Sequence, residues 1–307
     1  MPTPLFQLWS EPLFQGIVFL THIFIIALAA TYYIIYRRKP EFKSSFASVT
    51  SWLFITPFVF FMLGLQWPFP LILITLIAIY GAKVFFQMSG MFHRSYFVFV
   101  CYAGIVACAL SIYCDYDRLF ELMPPLFFLA VCLIPMIRNS YKRMVQYVAL
   151  TLVNFLLLWG FMHLGRILKM EHGVYILIYI IILTEIFENI YLRVSRHFKN
   201  IKIVPELTPK RSLEGYIVAA LITLGVAYIL RDLIPNPKNW WMLGTACFVF
   251  GSTGDTVLVF IRRDLGIRIY GSFVIGRGDF FTRIERLVFV APTCYYVIHY
   301  LQGRLSL

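Results

Sequence analysis

The chain has 307 residues, 60% of them hydrophobic and 14% charged, with a formal net charge of +12. This composition excludes a soluble domain of useful size and describes a polytopic membrane protein, all-α because lipid cannot satisfy irregular backbone. The positive charge is accounted for by loops beside anionic headgroups, so nucleic acid is not needed as a partner. Apolar stretches run over residues 13–36, 46–65, 69–88, 95–114, 119–137, 144–165, 173–192, 215–231, 239–261 and 286–303, which predicts about ten transmembrane helices. The first follows polar Ser10 and Glu11 without a basic leader or a small-residue cleavage site, so it reads as a retained span. Pro124, Pro125 and Pro135 are expected to kink or end the fifth. If every stretch crosses, alternate connections carry 20 and six of the 27 Lys and Arg, with Lys83 inside a span. The richer set, which includes two long polar loops, is then expected in the cytoplasm and both termini outside.

Charge also divides the chain. Residues 1–170 supply six spans with short connections, and 171–307 supply four spans and the two long loops, where chemistry is expected. The six cysteines lie in or at the ends of spans without CxxC spacing and read as packing residues. The six histidines show no zinc-ligand spacing.

The first long loop leaves the seventh span through TEIFENIYLRVSRHFKNIKIVPELTPKRSLEGY. Glu185 and Glu188 are three apart near the end of that span, and an acidic residue inside a membrane bundle points to function. Pairing with nearby Arg193 or Arg196 is the structural alternative. In TPKRSLEG, Thr208 and Ser212 offer hydroxyls, Lys210 and Arg211 cations suited to phosphate, and Ser212 a cap for the next helix; a helix start flanked by inside-positive charge explains the same residues. The second loop, within GSTGDTVLVFIRRDLGIRIYGSFVIGRGDFFTRIER, combines Gly266, Gly271, Gly276 and Gly278 with Arg262, Arg263, Arg268, Arg277 and Arg283. Asp255, Asp264, Asp279 and Glu285 add carboxylates that suit a divalent cation between protein and phosphates. The plainer reading is a cytoplasmic loop rich in arginine for topology alone.

In this order and spacing the two loops resemble the phosphatidate cytidylyltransferases, the CDP-diacylglycerol synthases, over roughly residues 175–292. In that family an acidic residue ends one span, a segment of the type SPKKTWEG opens the next, and a signature near GDLxESxxKRxxGIKDxGxxxPGHGGxxDRxD follows. Thr208, Pro209, Lys210, Arg211, Ser212, Glu214 and Gly215 stand at the first segment. Gly254, Asp255, Arg262, Arg263, Gly266, Ile267, Arg268, Gly271, Gly276, Gly278, Arg283, Ile284 and Glu285 follow the signature without a gap, and Pro292 falls where members often have proline. The departures are as specific. Ile269 and Thr282 replace two carboxylates, Arg277 the histidine, Asp279 a glycine, Ile275 a proline, and Leu258 and Val259 the Glu and Ser after Gly-Asp; Glu188 lengthens the acidic residue, and Ser195 and Lys199 replace glycines.

The resemblance implies attack by the phosphate of phosphatidic acid, or a related anionic lipid phosphate, on the α-phosphorus of CTP, with release of pyrophosphate. Catalysis would rest on Asp255, Arg283, Glu285 and Lys210. Thr208, Arg211, Ser212, Arg262, Arg263, Arg268, Gly276, Arg277 and Gly278 would bind substrate, and Asp255, Glu285, Glu188 and Asp279 would hold Mg²⁺. A bacterial inner membrane, with the site facing the cytoplasm, is the implied location; whether the chain forms a homodimer the sequence leaves open. Two alternatives remain on the residues alone. One is a member that kept the fold and lost the chemistry, serving as a lipid-phosphate binder or partner subunit, since each missing carboxylate weakens Mg²⁺ binding. The other is a transporter using Glu185, Glu188 and Lys83, although phosphate-suited residues gather in loops and Lys83 is expected to snorkel to the inner face.

Overall fold

The computed structural model describes residues 8–38, 43–137, 143–197, 201–206, 208, 211–264, 274–275, 278–279 and 281–303, with the backbone only at 43–45, 48, 134, 274–275, 278–279 and 281–285. Among these, ten α-helices form an all-α polytopic membrane protein: α1 Pro12–Arg38, α2 Lys43–Leu63, α3 Phe69–Met88, α4 Ser95–Tyr113, α5 Asp117–Ile137, α6 Met144–Leu168, α7 Gly173–Val194, α8 Leu213–Ile229, α9 Trp240–Asp264 and α10 Phe281–Leu301. Their ends fall within five residues of the apolar stretches, because the hydropathy change that ends a lipid-facing run also ends the helix. Seven helices are long and apolar enough to cross a membrane, α1, α3, α4, α5, α6, α7 and α9 among them, and α2 and α8 carry shorter apolar runs. Pro124, Pro125 and Pro135 do not end the fifth span: all three lie inside α5.

Helices α1, α2 and α5 turn large apolar side chains outward, including Phe19, Phe54, Phe58 and Leu129, as a lipid-facing rim requires. Behind them one apolar core runs from Phe14 in α1 to Ile298 in α10 and crosses the boundary at residue 170. The crossing is made largely by α6 against α10. A Cβ on Gly160 would lie 2.5 Å from the Val288 carbonyl oxygen, so only glycine lets the two backbones approach this closely. Cys247 of α9 meets Cys294 of α10 at 4.0 Å between sulfurs, both buried, as small packing residues should be. Lys83 is exposed on α3.

The last four helices frame one end of the bundle. Phe187 and Tyr191 of α7, Tyr216 and Ala219 of α8 and Phe248 of α9 form a small aromatic cluster there, with Phe187 stacked on Phe248 at 5.7 Å and Tyr191 edge-on to Tyr216 at 5.6 Å. This cluster packs α7, α8 and α9 against one another. In the second loop Val274 pairs with Asp279 and Ile275 with Gly278 as a short antiparallel ladder.

Candidate active site

The end of α7 and the entry to α8 are locked together by hydroxyls. Ser212 caps α8, its Oγ accepting from Gly215 N–H at 3.1 Å, which answers one of the amides a helix start leaves open. The Ser212 amide in turn donates to Ser195 Oγ at 3.2 Å, just beyond α7. A Cβ on Gly215 would overlap Ser195 Oγ and press on Ser212 Oγ, so the glycine after Glu214 is a demand of this close approach. Glu214 reaches back to accept from the Ile201 amide at 3.3 Å, and Leu213 N–H donates to Ile201 O at 2.8 Å. The loop is thereby folded against the helix it opens.

That fold aims Arg211 inward. The Arg211 N–H donates to the Thr208 carbonyl at 3.0 Å, and both residues are buried. Arg211 Nη2 donates to Glu188 Oε1 of α7 at 2.8 Å and forms an ion pair with Asp255 Oδ2 of α9, while the guanidinium lies over the Tyr191 ring at 5.2 Å. Side chains of Glu188 and Asp255 are 5% and 8% exposed, so almost no water shares their charge. Burial disfavours the Arg211 charge, yet the Glu188 and Asp255 carboxylates outweigh it and hold its pKa above the ordinary arginine value. Arg211 Nη1 is buried and has no hydrogen-bond partner among the described residues. The contact to Asp255 is an ion pair without hydrogen-bond alignment, so Asp255 Oδ2 is likewise a buried acceptor with unused capacity.

One helical turn from Glu188 on the same face of α7, Glu185 Oε1 accepts from Arg286 Nη1 of α10 at 3.0 Å. Neither glutamate therefore takes the neighbouring arginines as partner in the bonds seen here; Arg193 instead lies over Tyr32 at 5.4 Å. Of the remaining predicted residues, Arg262 and Arg263 stand in the last turn of α9, and Arg263 donates to the Glu206 carbonyl, tying the first loop to α9. Arg283 and Glu285 fall in the opening turns of α10 and Gly278 and Asp279 in the short ladder, where the backbone is described and the side chains are not. Lys210, Arg268, Gly276 and Arg277 lie outside the described residues.

The sequence profile of the Cytidylyltransferase family matches residues 46–301. The chain belongs to the cytidylyltransferase family. It is 27% identical over 135 residues to the Uncharacterized protein YnbB of Escherichia coli (strain K12), a match covering 43% of this chain and 45% of that protein. It is 28% identical over 149 residues to the Phosphatidate cytidylyltransferase of Aquifex aeolicus, covering 47% of this chain and 56% of that one. To the Phosphatidate cytidylyltransferase of Bacillus subtilis it is 29% identical over 100 residues, covering 32% and 37%. The matches span about half the length of these relatives, and at such identities the chain is a divergent family member.

Within this family member, the donor chemistry around Asp255 fits a divalent cation. Glu188 and Asp255 are hard carboxylate donors that converge on Arg211 Nη2, and Asp255 Oδ2 has acceptor capacity left. No group of three or more acidic, His or Cys side chains that could hold a metal occurs among the described residues, so Glu188 and Asp255 would need further ligands from the loop or the substrate. What sequence reading missed is the partner of Glu185. Arg286 stands at the start of the last apolar stretch in the sequence and sits in the second turn of α10, a charged residue facing a helix bundle.

Proposed function

We propose that this family member is a nucleotidyltransferase of phospholipid synthesis that joins CTP to phosphatidic acid, or to a related lipid phosphate. An oxygen of the lipid phosphate would attack the α-phosphorus of CTP, the bond from that phosphorus to the β-phosphate oxygen would break, and CDP-diacylglycerol and pyrophosphate would form. The observation that carries this reading is the buried meeting of Glu188, Arg211 and Asp255, three residues from separate segments of the family match. Arg211, with Nη1 unmatched, supplies a fixed donor for a phosphate oxygen, and its anchoring by two carboxylates means little reorganisation is needed when charge develops. Lys210, Arg262, Arg263, Arg268, Arg277 and Arg283 add cations for the polyphosphate, Thr208 and Ser212 shape the turn that presents them, and Gly276 and Gly278 allow the loop to approach the nucleotide. Glu188 and Asp255, with Glu285 and Asp279 from the second loop, would hold Mg²⁺, which when bound would neutralise phosphate charge and stabilise the pyrophosphate leaving group.

The relatives are bacterial, and the excess of Lys and Arg on one set of connections supports a bacterial inner membrane with this end of the bundle facing the cytoplasm. One observation favours a second reading. Arg211 already pairs with the two carboxylates best placed for a metal, and Ile269 and Thr282 stand where the resemblance leads one to expect two more, which suits a protein that binds lipid phosphate without turning it over. Pyrophosphate release by purified protein with CTP, phosphatidic acid and Mg²⁺ separates the two. Release that needs all three components and falls on the order of 100-fold or more in folded Asp255→Asn, the scale of losing a pre-organised electrostatic contact, supports the enzyme; silence from folded protein that still binds phosphatidic acid supports the binder.

A further inference from the structure

The Glu185–Arg286 pair lies beside the site and is used by none of the roles above. Arg286 is 11% exposed; its Nη1 is held by Glu185 at 3.0 Å, and its Nε is buried with no hydrogen-bond partner among the described residues. It lies within electrostatic reach of Glu188 and Asp255 and also feels the like charge of Arg211. A buried ion pair kept only for stability is a poor use of two charges, since apolar residues of the same volume serve as well or better inside a bundle. The two guanidiniums are anchored to one face of α7 three residues apart, about 4.5 Å along the helix. Each is a carboxylate-fixed cation with one buried nitrogen that has no hydrogen-bond partner among the described residues.

Their depths differ. Glu185 precedes Glu188 in a helix that runs toward the charged loop, so Arg286 is held one turn farther from the loop and nearer the apolar interior than Arg211. A nucleotide arrives from the loop side, and a lipid phosphate arrives attached to chains that stay in the apolar layer. We propose that Arg286 is the residue that binds the phosphate of the lipid substrate, with Glu185 fixing its guanidinium; this rests on the lipid-phosphate reading above.

The test is binding by the full chain in detergent micelles, with short-chain phosphatidic acid in one arm and CTP in the other. Arg286→Gln alone leaves Glu185 buried and unpaired, so it is measured beside Glu185→Gln/Arg286→Gln, which removes both charges together and keeps amide hydrogen bonding. Loss of one charge-assisted phosphate contact should weaken phosphatidic acid binding about tenfold or more in both variants, with CTP affinity held within about twofold. Wild-type lipid affinity in the folded double variant, or a loss confined to CTP, overturns the assignment while leaving the enzyme reading intact. Wild-type protein that binds neither ligand overturns both.

Discussion

Two buried arginines, near opposite ends of α7, have their charges answered in different ways. Arg166, at the end of α6, pairs through Nη2 with Asp117 at 2.9 Å and through Nη1 with Glu121 at 3.4 Å. Those carboxylates are 72% and 51% exposed, so water solvates them, while Phe120 and Tyr295 cover the guanidinium at 5.0 and 4.1 Å. The arrangement ties α5, α6 and α10 together where water can share the charge. Arg211 meets carboxylates that are themselves buried. Charge without solvent has to be answered by other groups, so the second cluster depends on its own geometry as the first does not.

This contrast can be broken by removing one partner at each end. Glu188→Ala should destabilise the folded protein by about 3–5 kcal/mol, because it breaks a buried ion pair and leaves the buried guanidinium only the Asp255 carboxylate; unfolding in detergent measures it, and a loss near zero would mean that water reaches the site. Gly215→Ala should follow at about 1–3 kcal/mol, the usual scale of overpacking. Since the clash is with Ser195 Oγ, Ser195→Gly in the same chain should recover part of the loss, and strict additivity would show that the crowding lies elsewhere. Asp117→Ala should change stability least, by about 0–1 kcal/mol, as expected for an exposed partner with a second carboxylate beside it. A cost as large as that of Glu188→Ala would remove the distinction between the two ends.

Much of the site was legible in the sequence. Glu188 and Asp255 stand out as charges within apolar helices and Arg211 as a loop cation suited to phosphate, and the structure brings the three together; Ser212 before an apolar run announced the cap it makes. The partner of Glu185 was not legible. Arg193 and Arg196 are close in sequence, but the pairs that form span 23 and 101 residues, because a helix face chooses its partners from whatever helix packs against it. Nor could spacing reveal that Gly215 serves Ser195, since that contact exists only once the loop has folded back on α7.

The sequence by itself determined the class, the helix ends and the two long polar loops, because transfer of side chains into lipid is a local property summed along about twenty residues. Tertiary structure decided which charges meet, that the apolar core crosses the boundary at residue 170 through α6 and α10, and that Arg286 joins the site. Those outcomes depend on interhelical packing, where glycine contacts such as Gly160 against Val288 set distances that no single helix encodes.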